Sequence, residues 1–302
     1  MIEFKDKVFL VTGSARGLGK GFSREILRQG GYVMLSDVLL QEGHDTLIEL
    51  QNDFGEDNVG YCFADVTDLN SFQNLWFIAE KKFNRPVDVL VNNAGVTHQV
   101  GWRKCLDVNL KGVMNGTNLA IEKMSTENGG LGGHVVNIGS TGGFVTAPDK
   151  ESASYFVSKA GVVTLTRSLG SKSFLKESNI RFLCLCPSYA DTNFLDTSIR
   201  KYIQEQSKLQ ILTVAAVVQG FTKLFQTGES GRVSILVKEQ LPLMDWPNYE
   251  ENVLLPILLG ARLLNKFGYK GIVGSKEQLA FCFALFMLVY MMLRFVILYM
   301  IF

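Results

Sequence analysis

Short runs of apolar residues recur along the chain and alternate with longer segments in which apolar residues follow a helical spacing. Such runs are typical of strands buried on both faces, and the longer segments are typical of amphipathic helices. The runs predict seven strands, at residues 8–11, 32–35, 59–64, 87–91, 135–138, 180–186 and 233–237. Helices are predicted between the first two strands and at residues 41–54, 71–83, 102–123, 152–169 and 214–225. This alternation predicts an α/β fold, a Rossmann-like doubly wound sheet of seven parallel strands.

The first predicted strand leads into a glycine-rich segment, TGSARGLG at residues 12–19, and a helical pattern follows it. Glycines let the backbone approach a pyrophosphate, and the N–H groups at a helix N-terminus attract its negative charge. The order of strand, glycine-rich turn and helix therefore predicts a dinucleotide site. The cofactor contacts predicted in it are Gly13, Arg16, Gly17, Leu18 and Gly19.

Two charged residues bear on which dinucleotide binds. Asp37 ends the second predicted strand, where a carboxylate accepts hydrogen bonds from the adenosine ribose and repels a 2′-phosphate, which favours NAD over NADP. Arg16 is the competing signal, because its cation is able to pair with a 2′-phosphate. A different reading of Asp37 is a helix N-cap or a turn residue.

Polar and small residues also follow other predicted strands, at the edge where doubly wound sheets bind ligands. A carboxylate and an apolar side chain after the third strand suit an adenine amino group and ring. After the fourth, the amides are predicted to stabilise the sheet edge and the minimal side chains to leave room for ribose and nicotinamide. A polar turn after the sixth offers backbone groups and a hydroxyl to a carboxamide. The further cofactor contacts predicted here are Asp65, Val66, Asn92, Ala94, Gly95, Pro187 and Thr192.

The stretch from Ser140 to Lys159 is predicted to carry the chemistry. Tyr155 and Lys159 are four residues apart in the predicted helix 152–169, so both side chains project from one face. An ammonium close to a phenol lowers the phenol pKa from its usual value of ~10 towards a pH at which it exchanges a proton. Ser140, arriving from another element, is placed to hydrogen-bond the same substrate oxygen. Alternatively, Tyr155 and Lys159 simply share a solvated helix face.

Asn109 interrupts the predicted helix 102–123 with a polar amide in its interior, which helix propensity does not explain. A bend at this residue would free a backbone carbonyl. That carbonyl is predicted to hold a water that connects Lys159 to bulk solvent.

Composition narrows the functional classes. Thirty basic and twenty-nine acidic residues leave a net charge of +1, which gives no reason to expect a nucleic-acid partner. Five cysteines show no C-x-x-C spacing and three histidines are scattered singly, so no metal site is predicted and the thiols are expected to be reduced. No secretory signal is visible at the N-terminus.

The motifs together resemble those of the short-chain dehydrogenase/reductase family. The glycine-rich segment at 12–19, the NNAG at 92–95 and the Y-x-x-x-K at 155–159 occur in that family's order and approximate spacing. The resemblance covers about residues 5 to 245. It implies a catalytic tetrad of Asn109, Ser140, Tyr155 and Lys159.

The resemblance also implies a role for each member. Tyr155 would be the acid/base and Ser140 would orient the carbinol oxygen, while hydride passes directly between substrate and nicotinamide. Lys159 would lower the tyrosine pKa and bind the nicotinamide ribose, and Asn109 would anchor the relay water. Homodimers or homotetramers are usual in the family. One departure is a longer loop at residues 143–154, which alters the substrate-facing surface.

The C-terminal residues 279–302 contain one charge, Arg294, in twenty-four residues. At about 1.5 Å per residue a helix of this length crosses a hydrocarbon core of about 30 Å. The segment predicts a single-pass membrane anchor, with the catalytic domain facing the cytoplasm and the endoplasmic reticulum as one candidate membrane. The alternative is a cytoplasmic protein in which an apolar helix covers the substrate mouth or pairs subunits. Three regions are expected: the catalytic domain 1–250, an interfacial linker 251–278 and the anchor 279–302.

Together these features predict an NAD-dependent oxidoreductase that acts on a lipophilic secondary alcohol of hydroxy fatty acid, prostanoid or steroid type. Its predicted partners are that small molecule and a membrane. The alternatives are an NADP-dependent carbonyl reductase, which Arg16 favours, and a non-catalytic nucleotide-binding scaffold, against which the intact tetrad argues.

Overall fold

A single twisted sheet organises the described part of the chain. Its strands are β1 Val8–Thr12, β2 Tyr32–Asp37, β3 Val59–Phe63, β4 Val89–Asn92, β5 Gly133–Ile138, β6 Ile180–Pro187, β7 Val233–Leu236 and β8 Met244–Asp245. Their order is β3-β2-β1-β4-β5-β6-β7-β8, with β1 to β7 parallel and β8 antiparallel to β7. The seven predicted parallel strands are confirmed. The predicted total of seven strands is wrong, because the sheet has eight. The eighth strand, β8, has two residues and is too short to produce an apolar pattern in the sequence.

Helices connect the parallel strands. Their bounds are α1 Gly17–Arg28, α2 Leu40–Phe54, α3 Leu69–Phe83, α4 Trp102–Leu106, α5 Gly112–Met124, α6 Ala153–Leu169, α7 Lys172–Ser178 and α8 Val214–Thr227. A π-helical segment, Asp107–Lys111, joins α4 to α5, so the predicted interruption at Asn109 is confirmed. Helix α7 was not predicted. Its signals are Ser171, whose hydroxyl caps it by accepting from Phe174 N at 3.3 Å, and Asn179, whose φ of 54° ends it.

Hydrophobic clusters cover both faces of the sheet. Successive residues of β1 alternate between them: Phe9 packs with Phe22 and Phe221 in one cluster, and Leu10 packs with Trp76 in the other. All five side chains are at most 1% exposed. Burial on both faces explains why the strands are visible in the sequence as nearly continuous apolar runs.

The strand order reverses beside β1, which lies between β2 and β4. In a doubly wound sheet such a reversal opens a crevice at the carboxyl ends of the strands, and ligands bind there. The ends of β1, β4, β5 and β6 all carry residues that the sequence assigns to a site.

The computed structural model describes residues 1–195, 197, 200, 201, 203 and 210–246. Residues 1–203 and 210–245 form one compact unit. A second unit comprises 204–209 and 246–302, and only Trp246 of it is among the described residues. The predicted linker 251–278 and anchor 279–302 lie outside the described residues. Within the described ranges, no helix combines the length and hydrophobicity needed to cross a bilayer.

Candidate active site

The glycine-rich turn packs closely against the loop that follows β4. Gly13 and Gly17 have φ values of 65° and 58°, a region that side chains other than glycine rarely adopt. A Cβ atom on Gly13 would lie 2.7 Å from the Cα atom of Ala94, and one on Gly19 would overlap the carbonyl oxygen of Gly13. Arg16, the N-cap residue of α1, makes no side-chain capping bond, so its side chain leaves the first N–H groups of the helix available to an anion.

Asn93 joins the loop after β4 to the glycine-rich turn, whereas the sequence predicted only that the amides stabilise the sheet edge. Its side-chain amide donates to Thr12 O at 2.9 Å and to Gly13 O at 2.8 Å. The Thr12 hydroxyl in turn accepts from the backbone N–H groups of Asn93 and Ala94, each at 3.1 Å. These bonds fix the glycine-rich turn relative to the end of β4.

Asn92, which was predicted as a cofactor contact, is directed into the fold. It is 3% exposed, and its amide donates to Asn137 Oδ1 at 2.9 Å and to Thr117 Oγ1 at 3.4 Å. The bond to Asn137 ties β4 to β5 at the point where both strands reach the site. A direct cofactor contact of Asn92 stays a prediction.

The two residues that bear on cofactor choice lie beside the glycine-rich turn. The carboxylate of Asp37 accepts from Ala15 N at 3.0 Å and from Leu39 N at 3.1 Å, which fixes its position at the end of β2. Arg16 is exposed on the same turn. A ribose bound between β2 and α1 would therefore meet an oriented carboxylate.

Asp65 and Val66 follow β3, as predicted for an adenine contact. Partial burial favours the neutral form of Asp65, but hydrogen bonds from the Thr67 N–H and hydroxyl, at 2.9 and 2.8 Å, outweigh it and lower the pKa. Lys104 Nζ lies 3.7 Å from the same carboxylate and acts in the same direction. Val66 fits against Gly112, where a Cβ atom would lie 2.6 Å from the valine Cγ2 atom.

Tyr155, Lys159 and Ser140 converge at the end of β5. The Ser140 side chain is close enough to the Tyr155 hydroxyl to oppose the rise of the phenol pKa. Lys159 is 5% exposed, its Nζ atom donates to Ile138 O at 2.9 Å, and it lies 5.9 Å from the centroid of the Tyr155 ring. The alternative of a solvated helix face is therefore wrong for Lys159, because its side chain points into the protein.

The direction of the Tyr155 pKa differs from the prediction. Burial raises it to about 12, and the Ser140 side chain opposes this rise without cancelling it. Burial also lowers the pKa of Lys159. The spacing of the two residues predicted a lowered phenol pKa, but spacing carries no information on the desolvation that dominates here.

Asn109 links three parts of the site from the π-helical segment. It is fully buried; its Oδ1 atom accepts from Val96 N at 2.8 Å, and its amide donates to Val96 O at 2.9 Å. The same amide donates to Ser158 Oγ at 3.3 Å, and the Ser158 hydroxyl donates to Tyr155 O at 2.7 Å.

Gly95 lies between Asn109 and Lys159, since a Cβ atom on it would be 3.4 Å from Asn109 Oδ1 and 3.8 Å from Lys159 Nζ. The relay water stays a prediction.

The turn after β6 reaches the glycine-rich turn. Pro187 ends β6, and a Cβ atom on Gly17 would lie 3.2 Å from Thr192 Cγ2. Arg200 holds this turn by donating to Thr192 O at 2.7 Å and to Asp191 Oδ1 at 2.5 Å. The turn is therefore beside the N-terminus of α1, where the pyrophosphate of a dinucleotide is expected.

Aromatic rings flank the phenol and were not predicted. The Phe194 and Phe156 rings have centroids 5.9 and 6.0 Å from that of Tyr155. Phe194 is 38% exposed. Apolar rings thus adjoin the ring of Tyr155, and the sequence signal for them was the position of these residues next to predicted site residues.

A dinucleotide crevice combined with a Ser, Tyr and Lys centre defines a class of oxidoreductase. The family model for short chain dehydrogenase matches residues 7–203, a span that contains every predicted site residue. The chain belongs to the short-chain dehydrogenase family.

Among named relatives, the 15-hydroxyprostaglandin dehydrogenase (NAD(+)) of Mus musculus is 33% identical over 211 residues. The match covers 68% of this chain and 77% of the mouse enzyme. The Homo sapiens enzyme of the same name is 35% identical over 191 residues, 63% of this chain and 71% of its own. A crystal structure of a Burkholderia phymatum short chain dehydrogenase/reductase in complex with NAD has a TM-score of 0.65 at 24% identity, covering 76% of this chain and 89% of that one. This last similarity concerns the fold.

Proposed function

We propose that the protein is an NAD-dependent alcohol dehydrogenase that oxidises the hydroxyl group of a lipophilic secondary alcohol. The observation that carries the proposal is the convergence of Ser140, Tyr155 and Lys159 beside the glycine-rich turn at the carboxyl ends of the strands. A scaffold that only binds a nucleotide needs no phenol beside a serine and a buried ammonium.

The residues present fit a dinucleotide. The uncapped N-terminus of α1 and its glycines suit a pyrophosphate, while Asp37 suits the adenosine ribose and disfavours a 2′-phosphate. Asp65 and Val66 would face the adenine, and Thr192 the carboxamide. The 15-hydroxyprostaglandin dehydrogenases carry NAD(+) in their names and the Burkholderia phymatum enzyme was crystallised with NAD, which supports the same cofactor here. Bound NAD supplies the hydride acceptor.

The chain's own residues handle the proton. Tyr155 takes the proton of the substrate hydroxyl, and Ser140 holds the oxygen through a second hydrogen bond. Because burial raises the pKa of Tyr155 to about 12, the phenolate needs nearby positive charge to form near neutral pH. Lys159 supplies that charge and binds the nicotinamide ribose. Asn109 orients α6 through Ser158 and anchors the water that returns the proton to solvent.

The rings next to the phenol support a lipophilic substrate. Phe156 and Phe194 offer apolar contacts on either side of a carbinol carbon placed over Tyr155. The relatives are named as dehydrogenases of a hydroxyprostaglandin, which supports a hydroxylated lipid of prostanoid, fatty acid or steroid type.

The sequence of residues 279–302 supports one further part of the proposal, that a C-terminal helix tethers the enzyme to a membrane with its catalytic domain in the cytoplasm. A bilayer would concentrate lipophilic alcohols near the site. Assembly as a homodimer or homotetramer is carried over from the family resemblance, and light scattering of the purified protein tests it.

Initial rates test the proposed activity. The purified protein is given a panel of hydroxylated lipids with NAD or with NADP, and reduction of the dinucleotide is followed by absorbance. NAD is expected to give the higher kcat/KM. A clear preference for NADP would instead favour the carbonyl reductase that Arg16 suggests.

Two tyrosine variants identify the acid/base. Tyr155→Phe is expected to lose turnover, whereas Tyr32→Phe, which keeps its ring contacts with Phe83 and Arg85 away from the site, is expected to retain it. Unchanged turnover in Tyr155→Phe would remove the catalytic assignment.

A further inference from the structure

Two cysteines lie beneath the loop that carries Ser140. Cys184 and Cys186 are two positions apart on β6, so their side chains project from the same face of the sheet. Both are fully buried, and their Sγ atoms are 3.5 Å apart. The proposed alcohol oxidation uses neither thiol.

The two sulfur atoms pack against Gly139, the residue that precedes Ser140. A Cβ atom on Gly139 would lie 2.6 Å from the Cys186 sulfur and 2.9 Å from the Cys184 sulfur. Leu185, between the two cysteines, accepts a hydrogen bond from Gly139 N at 2.8 Å. A change in the spacing of the cysteines therefore reaches Ser140 through both the sulfur contacts and this backbone bond.

The surroundings favour a reactive sulfur. The hydrogen bond from Cys186 lowers the pKa of Cys184, burial opposes it, and the charge of Lys159 lowers it further. The thiolate is the nucleophilic form of cysteine.

We propose that Cys184 and Cys186 form a reversible disulfide on exposure to a hydroperoxide, and that its closure lowers turnover by displacing Ser140. The sulfur of Cys184 attacks one peroxide oxygen, the O–O bond breaks, and the other oxygen leaves with a proton as water or an alcohol. The sulfur of Cys186 then attacks the resulting sulfenic acid, and the S–O bond breaks as the S–S bond forms. Hydroxide leaves with the Cys186 proton as water, so two electrons have passed from the thiols to the peroxide.

Strand geometry predicts that this bond is strained. Alternate residues of a strand are about 6.6 Å apart at a rise of about 3.3 Å per residue, close to the upper limit of about 6.8 Å usual for bridged Cα atoms. β6 is held by β5 on one side and β7 on the other, so any shortening of the strand at Leu185 is resisted by both neighbours. Strained disulfides are the more easily reduced ones, which fits a reversible modification rather than a structural cross-link.

The test treats the full-length protein with hydrogen peroxide or a fatty acid hydroperoxide, alkylates the remaining thiols and analyses the peptides by mass spectrometry. The peptide that contains both cysteines is expected to lose two hydrogens and to escape alkylation. Amide hydrogen exchange is expected to accelerate at residues 139–143. Turnover is expected to fall about tenfold to a hundredfold, the range that a displaced catalytic group costs, and dithiothreitol is expected to restore the mass, the exchange and the rate.

Three variants complete the test. Cys184→Ser is expected to have the turnover of the untreated natural protein and to lose the response to peroxide. Cys184→Ala replaces it if the serine variant folds poorly. Cys62→Ser is the matched control, because Cys62 lies on β3, which four strands separate from β6, and it is expected to respond like the natural chain. Separate oxidation of the two cysteines, or a disulfide that leaves exchange and turnover unchanged, would overturn the proposal.

The turnover readout rests on the proposed function, whereas mass and exchange do not. A protein that forms the disulfide and shows faster exchange but oxidises no alcohol would refute the proposed function and leave the modification standing.

Discussion

Removing the side chain of Asn93 tests how the dinucleotide crevice is held together. Its amide makes two hydrogen bonds to backbone carbonyls of the glycine-rich turn, at 2.8 and 2.9 Å. In Asn93→Ala both bonds are lost; Gly13 is half-buried, so water can replace the bond to its carbonyl, whereas Thr12 is buried.

The size of the effect follows from these two bonds. A neutral hydrogen bond contributes about 1 kcal/mol net, so the pair contributes about 2 kcal/mol. If the turn stays in place, this loss appears in the free energy of unfolding. If the turn loosens and is reordered by NAD, part of the loss appears in the binding free energy instead. The two losses are therefore expected to sum to about 2 kcal/mol. If all of it appears in binding, the Kd for NAD rises about 30-fold.

Urea denaturation measures the first quantity and titration of protein fluorescence with NAD measures the second. Asn128→Ala is the matched control, because its amide makes one bond to a backbone carbonyl, Ile121 O at 3.1 Å, on an exposed turn. It is expected to bind NAD normally. Asn93→Asp is expected to lose at least as much as Asn93→Ala, since a carboxylate faces the two carbonyls without donors. If Asn93→Ala leaves both quantities at their natural values, the turn is held by something other than this side chain.

The glycine turn, a half-buried histidine and the tail give three more tests. Gly19→Ala places a methyl group on the Gly13 carbonyl and is expected to abolish NAD binding in the same titration; Gly220→Ala, which meets only ordinary contacts from 3.5 Å, should preserve it. Burial lowers the pKa of His134 from 6.5 to about 3, so its contribution to stability is complete above pH 6.5 and is lost as the pH falls towards 3. His134→Leu is expected to remove a slope of up to about 1.4 kcal/mol per pH unit from urea denaturation in that window, and an unchanged slope would contradict this. Deleting residues 279–302 is expected to move the protein from the membrane to the soluble fraction after cell lysis; retention in the membrane fraction would refute the anchor.

The parts of the fold that could be predicted are those that local pattern determines. The strands of the parallel sheet are buried on both faces, so each leaves an apolar run, and Asn109 stands out because an amide in a helix interior needs a tertiary reason. Helix α7 and strand β8 were missed because they are short, and short elements leave no periodic pattern. The added strand changes the edge of the sheet and not the crevice.

The site was predictable where the chemistry depends on neighbours in sequence. Tyr155 and Lys159 are on one helix, so their proximity follows from their spacing. The role of Asn93 depends on carbonyls about eighty positions away, and its neighbour Asn92 was chosen instead because the sequence does not say which amide faces which strand. The raised pKa of Tyr155 was missed for a related reason, since burial is a property of the packed protein.

Transfer of deuterium from a labelled substrate tests the central claim most directly. A hydroxylated lipid that carries deuterium on its carbinol carbon is incubated with NAD and the purified protein, and the reduced dinucleotide is analysed by mass spectrometry. The account predicts one deuterium in each reduced dinucleotide formed, and no such product with Tyr155→Phe. Deuterium released to the solvent, or label transferred equally well by Tyr155→Phe, would contradict it.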